Sequence, residues 1–154
     1  MRRHLATPVL ALALGAALLA GCGGSDDSGS LDDNALAACE EYNDIINNWS
    51  RDYGSHLSTV GQAEAEGSDE GEQAQEEAVA AVRGLFESAA EGMRARAKET
   101  DNAELAEGLA QAADGLAEIA AQIETYDDVM NVPEMMAAGE FADGGKRVND
   151  ICAG

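Results

Sequence analysis

The sequence predicts an all-α protein, a small up-and-down helical bundle that follows a signal peptide and a flexible tether. Apolar side chains recur every three or four residues in four segments, as on the buried face of a helix. No segment alternates apolar and polar residues as a half-exposed strand does. Aromatic residues make up 4% of the 154 residues, so we expect one domain with a core of aliphatic side chains, Met and Ala. Three of the helical patterns are regular and the fourth is weaker.

Residues 1–21 have the organisation of a signal peptide. Two arginines precede an apolar run over residues 5–20, which is shorter than the about 20 residues that a membrane-spanning helix needs. The run closes on Leu-Ala-Gly-Cys at residues 19–22, which resembles the lipobox of bacterial lipoproteins. This resemblance implies cleavage before Cys22, acylation of that cysteine by fatty acids such as palmitate, and attachment to a membrane. The alternative is an ordinary secretory peptide in which Cys22 has no special role.

Residues 22–31 form the predicted lipid-bearing tether, which precedes a helical domain over residues 32–154. After Cys22 the chain reads GGSDDSGSL, a composition typical of a flexible linker with an end-to-end distance of about 15–18 Å. The lipobox, short acidic tether, alanine-rich helices and terminal cysteines resemble the small alanine-rich lipoproteins of actinobacteria. This resemblance implies a lipid-anchored protein on the extracytoplasmic face of the cell membrane, and it carries no active-site motif.

The first predicted helix begins near Asp32 or Asp33, because carboxylates stabilise a helix when they lie at the positive, N-terminal end of its dipole. A bend is expected near residues 54–58, because Gly54 weakens the helical pattern. Residues 61–72 are rich in glycine and acids and predict a loop. The apolar stripe advances in steps of three or four residues through Leu36, Cys39, Tyr42, Ile46, Trp49, Tyr53, Leu57 and Val60.

The second predicted helix covers residues 72–99, with acids at its start and basic residues at its end, as the helix dipole favours. Thr100 or Asp101 is expected to cap the third helix. Residues 127–132 predict a break, and Pro133 suits the first turn of a last helix, which extends to Cys152. The third helix carries the clearest heptad pattern, formed by Leu105, Leu109, Ala112, Leu116, Ile119, Ile123 and Tyr126.

The three cysteines predict one disulfide bond. If Cys22 carries lipid, Cys39 and Cys152 remain, and an even number of cysteines outside the cytoplasm indicates pairing. An even number of antiparallel helices also brings the ends of the first and last helices to the same pole. Two free thiols or a redox pair are the alternatives, although the Cys-X-X-Cys spacing of redox pairs is absent.

The charge balance narrows the classes of partner. Removal of residues 1–21 takes away two arginines and no acid, which leaves 30 acidic against 7 basic residues and a net charge of −23. This excess argues against nucleic acid, which is bound through lysine and arginine, and against direct contact with anionic lipid headgroups. Solubility, cations or basic partners suit such a surface.

The chain offers little for catalysis, so we expect neither an enzyme nor a bound cofactor. His56 is the only histidine after cleavage, and the nucleophile elbow and the His-Glu-X-X-His motif are absent. Asp52 and His56 lie one helical turn apart, but a zinc site needs a third ligand that the sequence does not identify.

One acidic cluster is a candidate cation or partner site. Glu124, Asp127 and Asp128 follow the third predicted helix, where carboxylates add to the negative end of its dipole. We therefore expect either a bound cation or basic partner, or acids that separate into solvent.

The leading functional prediction is a non-enzymatic helical module that binds another envelope protein or has a structural role.

The alternative is a carrier for a cation or a small apolar molecule. A cavity lined by Trp49, Phe86 and Met93 would favour the carrier, whereas a fully packed bundle would favour the module.

Overall fold

A computed structural model describes residues 31–154 of the chain. The predicted signal peptide of residues 1–21, the predicted acylation site Cys22 and residues 23–30 of the predicted tether therefore lie outside the described residues. Every regular element between residues 31 and 154 is an α-helix, which confirms the all-α class. The helices are α1 (Asp33–Glu66), α2 (Ser68–Glu99), α3 (Ala103–Gln122), α4 (Tyr126–Met136) and α5 (Gly139–Cys152). None of them is long and apolar enough to cross a membrane.

The helices pack in an order that follows the chain. α1 lies along α2, α2 lies along α3, and α3 lies along α5, while α4 makes smaller contacts with α2, α3 and α5. α1 and α5 approach each other at only a few points. The bundle therefore consists of an α1–α2 hairpin and an α3–α5 pair, joined along α2 and α3.

The hairpin is longer than the rest of the bundle. α1 has 34 residues, α2 has 32 and α3 has 20, which corresponds to about 51, 48 and 30 Å at 1.5 Å per residue. α2 ends next to the start of α3, so the opposite end of the hairpin extends about 20 Å beyond α3. We call this end, around Gly67, the hairpin tip.

The predicted loop over residues 61–72 is wrong. α1 continues through the predicted bend at residues 54–58 to Glu66, and Gly67 alone separates it from α2. Alanine and glutamate have high helix propensity and extend both helices where the apolar stripe fades. Gly71 allows the close turn, because a Cβ there would lie 3.1 Å from Cγ of Glu64 on α1.

The heptad of α3 is confirmed as the centre of the core. All its members from Leu105 to Ile123 are at most 4% exposed, and Tyr126 is partly exposed. The opposite face of the interior is supplied by α2, where Val82, Phe86 and Met93 are fully buried. Aliphatic side chains therefore fill most of the core, as the composition predicts.

One helix cap lies where the sequence places the helix start, and one does not. Asp32 caps α1 by accepting from the backbone N–H of Ala35 at 2.7 Å, as expected. The cap of α3 is Asn102, whose side chain accepts from Leu105 N at 3.0 Å, instead of Thr100 or Asp101. The helix begins at Ala103, later than predicted, so the capping residue is Asn102 and not Asp101, the residue before it.

The last predicted helix is two helices. The chain is already helical from Tyr126 and breaks after Met136, so the break predicted at residues 127–132 is wrong, and Pro133 lies inside α4. Proline has no N–H for the carbonyl four residues earlier, which here belongs to Val129. The hydroxyl of Tyr53 on α1 donates to that carbonyl at 2.8 Å and replaces the missing bond.

Candidate functional site

The beginning of the domain lies at the pole where α2 meets α3 and α5 ends, which we call the disulfide pole. Asn34, in the first turn of α1, connects α1 to the turn between α2 and α3 at this pole. Its side-chain amide donates to the carbonyl of Glu99 at 3.1 Å and accepts from the N–H of Asp101 at 2.9 Å. The start of α1, which follows the predicted tether, is thereby held against the α2–α3 turn.

Cys39 and Cys152 are joined by a disulfide bond at this pole. Their Cα atoms are 5.8 Å apart although 113 residues separate them in the sequence, so the predicted pairing is present in the structure. Cys39 is 6% exposed on α1, whereas Cys152 is partly exposed in the last turn of α5. The bond therefore connects two helices that otherwise touch at few points.

The candidate acidic cluster is not at the end of a helix, as the sequence suggests, but at the beginning of one. Asp127 and Asp128 lie in the first turn of α4, where carboxylates favour the positive end of the dipole. Asp128 forms a capping box with Thr125 and accepts from Glu124 N at 3.1 Å and from Thr125 N at 2.8 Å. The hydrogen bond from the Thr125 hydroxyl is the main cause that lowers the pKa of Asp128 below 3.8.

A carbonyl at the carboxyl end of α3 accepts hydrogen bonds from an arginine that the sequence did not single out. Arg83 of α2 donates through Nε, at 3.1 Å, and through Nη2 to the carbonyl of Ile123. This contact supplies positive charge where a helix dipole is negative. Within residues 31–154, no three His, Cys, Asp or Glu side chains are arranged to hold a metal ion. Asp127 and Asp128 thus have a structural role at the start of α4, while the cation or partner site at Glu124, Asp127 and Asp128 stays a prediction.

In the part of the chain that the structure describes, Asp52 and His56 also belong to no group of three metal-ligating side chains. Asp52 accepts from Nε of the neighbouring Arg51 at 3.1 Å, and both side chains are substantially exposed. This contact is typical of a solvated helix surface, where an ion pair contributes at most about 1 kcal/mol.

The aromatic residues of α1 pack into the bundle. The ring of Trp49 stacks on Tyr53 with centroids 5.2 Å apart and meets Phe86 of α2 edge-on at 5.1 Å. Phe86 and Met93 have no exposed surface, so these side chains fill the interior and do not line an opening. The indole Nε1 of Trp49 is buried without a hydrogen-bond partner among the described residues.

A groove lies between α1 and the C-terminal helices. Tyr42, Ile46 and Trp49 form its α1 wall, and Met136, Phe141 and Gly145 form the other, around a volume of about 440 Å³. We call this boundary the α1–α5 seam. Tyr42 is 5% exposed within it, and burial raises the pKa of its hydroxyl above 10.0. Nothing in the spacing of Tyr42 and Trp49 along the first helix indicates that they face the last helix.

Comparison with known proteins adds no relative. No protein-family model matches the chain, and no curated protein or solved structure matches it at a significant level. The function must therefore be argued from the sequence and the geometry.

Proposed function

We propose that this chain is a lipid-anchored, non-enzymatic helical module on the extracytoplasmic face of a cell membrane, where it binds another envelope protein. The observation that carries the proposal is the Leu-Ala-Gly-Cys segment at residues 19–22, which follows two arginines and an apolar run. Acylation of Cys22 with two or more chains would give stable attachment, at about 0.8 kcal/mol per buried CH₂.

The arrangement of the domain is consistent with display from a membrane. The helix α1 begins at Asp33, directly after the short tether, and it runs about 51 Å to the hairpin tip. A disulfide bond such as Cys39–Cys152 also persists most readily in an oxidising compartment outside the cytoplasm. A protein with these features can hold the hairpin tip well away from the lipid surface.

The packing supports a binding module over a carrier. A carrier would have a cavity lined by Trp49, Phe86 and Met93. Phe86 and Met93 are instead fully buried in the hydrophobic core, and Trp49 packs against that core. The predicted mature charge of −23 favours a partner with a basic surface and disfavours anionic headgroups. Binding of another protein therefore explains the acidic surface without a ligand held between Trp49, Phe86 and Met93.

The anchor is tested by Cys22→Ala in the native host, with Ser25→Ala as the matched control in the same tether. We expect Cys22→Ala to release the protein from salt-washed membranes and to abolish incorporation of a labelled fatty acid. Ser25→Ala should remain membrane-bound and labelled. Retention of Cys22→Ala in the membrane pellet would contradict lipid anchoring.

The partner is tested by photo-crosslinking of the full chain in its own membrane. A photoreactive residue is placed at exposed Glu70 near the hairpin tip or at exposed Asp101 near the disulfide pole. We expect one adduct of defined mass from at least one position, in stoichiometric yield, and its loss in Cys22→Ala. Adducts that only reflect the abundance of envelope proteins would contradict a specific partner.

A further inference from the structure

The two halves of the bundle are held together unequally. α3 and α5 meet at backbone level, because a Cβ on Gly115 would overlap the backbone of Phe141 and a Cβ on Gly144 would lie 2.8 Å from the carbonyl oxygen of Gly108. α1 lies along α2 over most of its length. Each pair is therefore an extensively packed unit that does not need a covalent bond to keep its two helices adjacent.

The α1–α5 seam is different, because few backbone contacts cross it. Side chains bridge it, with the Tyr42 hydroxyl 3.0 Å from the position of a Cβ on Gly145. Tyr42 and Gly145 also line the groove of about 440 Å³, together with Trp49 and Phe141. The covalent tie across the seam is the bond between Cys39 and Cys152.

We propose that the Cys39–Cys152 bond is a redox-sensitive clasp, whose reduction opens the α1–α5 seam while the α1–α2 hairpin and the α3–α5 pair stay folded. Local opening of this kind requires a boundary with few buried contacts between two well-packed units. The seam has that character, and the interfaces on either side of it do not.

The chemistry of opening is thiol–disulfide exchange with a dithiol reductant. One thiolate of the dithiol attacks Sγ of Cys152, the more exposed of the two cysteine residues, and forms a mixed disulfide while Cys39 leaves as a thiolate and takes up a proton. The second thiol of the reductant then displaces Cys152, which leaves as a thiol. The protein gains two electrons and two protons, and the reductant becomes a cyclic or linked disulfide.

Trp49 is a built-in reporter, because the chain has one tryptophan and it lines the seam. The full chain in detergent is compared before and after reduction with dithiothreitol, well below its unfolding transition. We expect the acrylamide quenching constant of Trp49 to rise by about twofold or more on local opening, with the helical circular dichroism unchanged. The variant Cys39→Ala/Cys152→Ala should give the reduced value without any reductant, and Cys22→Ala should behave as the unmodified chain.

Hydrogen exchange separates local opening from general weakening. We expect amides in the first turns of α1, around Cys39 at the seam, to lose protection on reduction while amides of α3 keep theirs. Two outcomes overturn the proposal. Quenching that does not change would show that side-chain packing alone closes the seam. Loss of helicity, or an equal loss of protection in α1 and α3, would show that the bond holds the whole domain together. Neither result bears on whether Cys22 is acylated.

Discussion

Glycine has opposite roles in the two halves of this bundle. In the α3–α5 pair, Gly115 and Gly144 lie where the opposing backbone leaves no room for a methyl group. In the α1–α2 hairpin, Gly54 and Gly84 have no other atom within 4 Å of the position of a Cβ. At these four positions glycine therefore permits close packing in the α3–α5 pair and only weakens the helix in the hairpin, where Gly71 is the glycine that allows a close approach of α2 to α1.

The difference shows that helix length does not measure how firmly two helices are joined. α5 has 14 residues and α1 has 34, yet the shorter helix makes backbone contact with its neighbour. The long hairpin reaches the α3–α4 end of the molecule through directed contacts, from Tyr53 to Val129 and from Arg83 to Ile123. Substitutions at the two kinds of contact should have effects of very different size.

The largest effect is expected where backbone meets backbone. Gly144→Ala should force α5 away from α3 and lower the free energy of unfolding by about 3 kcal/mol or more, at the upper end of overpacking costs. Gly145→Ala is the matched control, because its Cβ would meet the end of the Tyr42 side chain and not a backbone. Urea unfolding followed by circular dichroism measures both variants. Equal losses for the two would contradict the backbone contact.

The next effect is expected at the contact between the hairpin and α4. Tyr53→Phe removes the donor to Val129 O and should lower the free energy of unfolding by about 1–2 kcal/mol. In a Pro133→Ala background the restored N–H can serve the same carbonyl, so the cost of Tyr53→Phe should fall. A double-mutant cycle in urea measures this coupling. Strictly additive losses would show that the hydroxyl does not compensate for proline.

A smaller effect of opposite sign is expected in the hairpin. Gly54→Ala and Gly84→Ala should each raise the free energy of unfolding by about 0.5–1 kcal/mol, because alanine has the higher helix propensity and nothing obstructs its methyl group. The thermal midpoint is the measurement. A lowered midpoint for either variant would reveal a neighbour that these positions do not have in the structure.

The smallest effect concerns the capping box of α4. The pKa of Asp128 is lowered from 3.8, chiefly by the Thr125 hydroxyl, so its contribution to stability is present above pH 3.8 and is lost as the pH falls through the folded-state pKa. Thr125→Ala should move this pKa upward, as measured by NMR titration of the carboxyl carbon. Thr59→Ala, whose hydroxyl bonds the carbonyl of Ser55, should leave it unchanged. An unmoved pKa in Thr125→Ala would exclude the hydroxyl as the cause.

The local sequence pattern was sufficient to predict a segment's structure where the surrounding residues only bury its apolar face. The heptad of α3 and the start of α1 near Asp32 or Asp33 follow from spacing and side-chain chemistry, and both are confirmed. The pairing of Cys39 with Cys152 followed from cysteine parity together with an even helix topology. These inferences need no knowledge of which side chain meets which.

Local pattern failed where propensity or a distant partner decides. Residues 61–72 lack an apolar stripe, but their alanines and glutamates favour helix, so a one-residue turn replaced the predicted loop. Pro133 is tolerated inside α4 because Tyr53, far away in sequence, satisfies Val129. Misplacing that helix start put Asp127 and Asp128 at the wrong end of a dipole, so the dipole argument for a cation or basic partner at these residues was wrong.

The position of the disulfide has a consequence for how the protein is made. Cys39 emerges early, but its partner is the final residue of α5, 113 residues later. Until synthesis reaches Cys152, α1 must pack against α2, and α3 must wait for α5, without a covalent bond between them. The bond can only record an arrangement that packing has already produced, so an oxidant that acts too early finds Cys39 without its native partner.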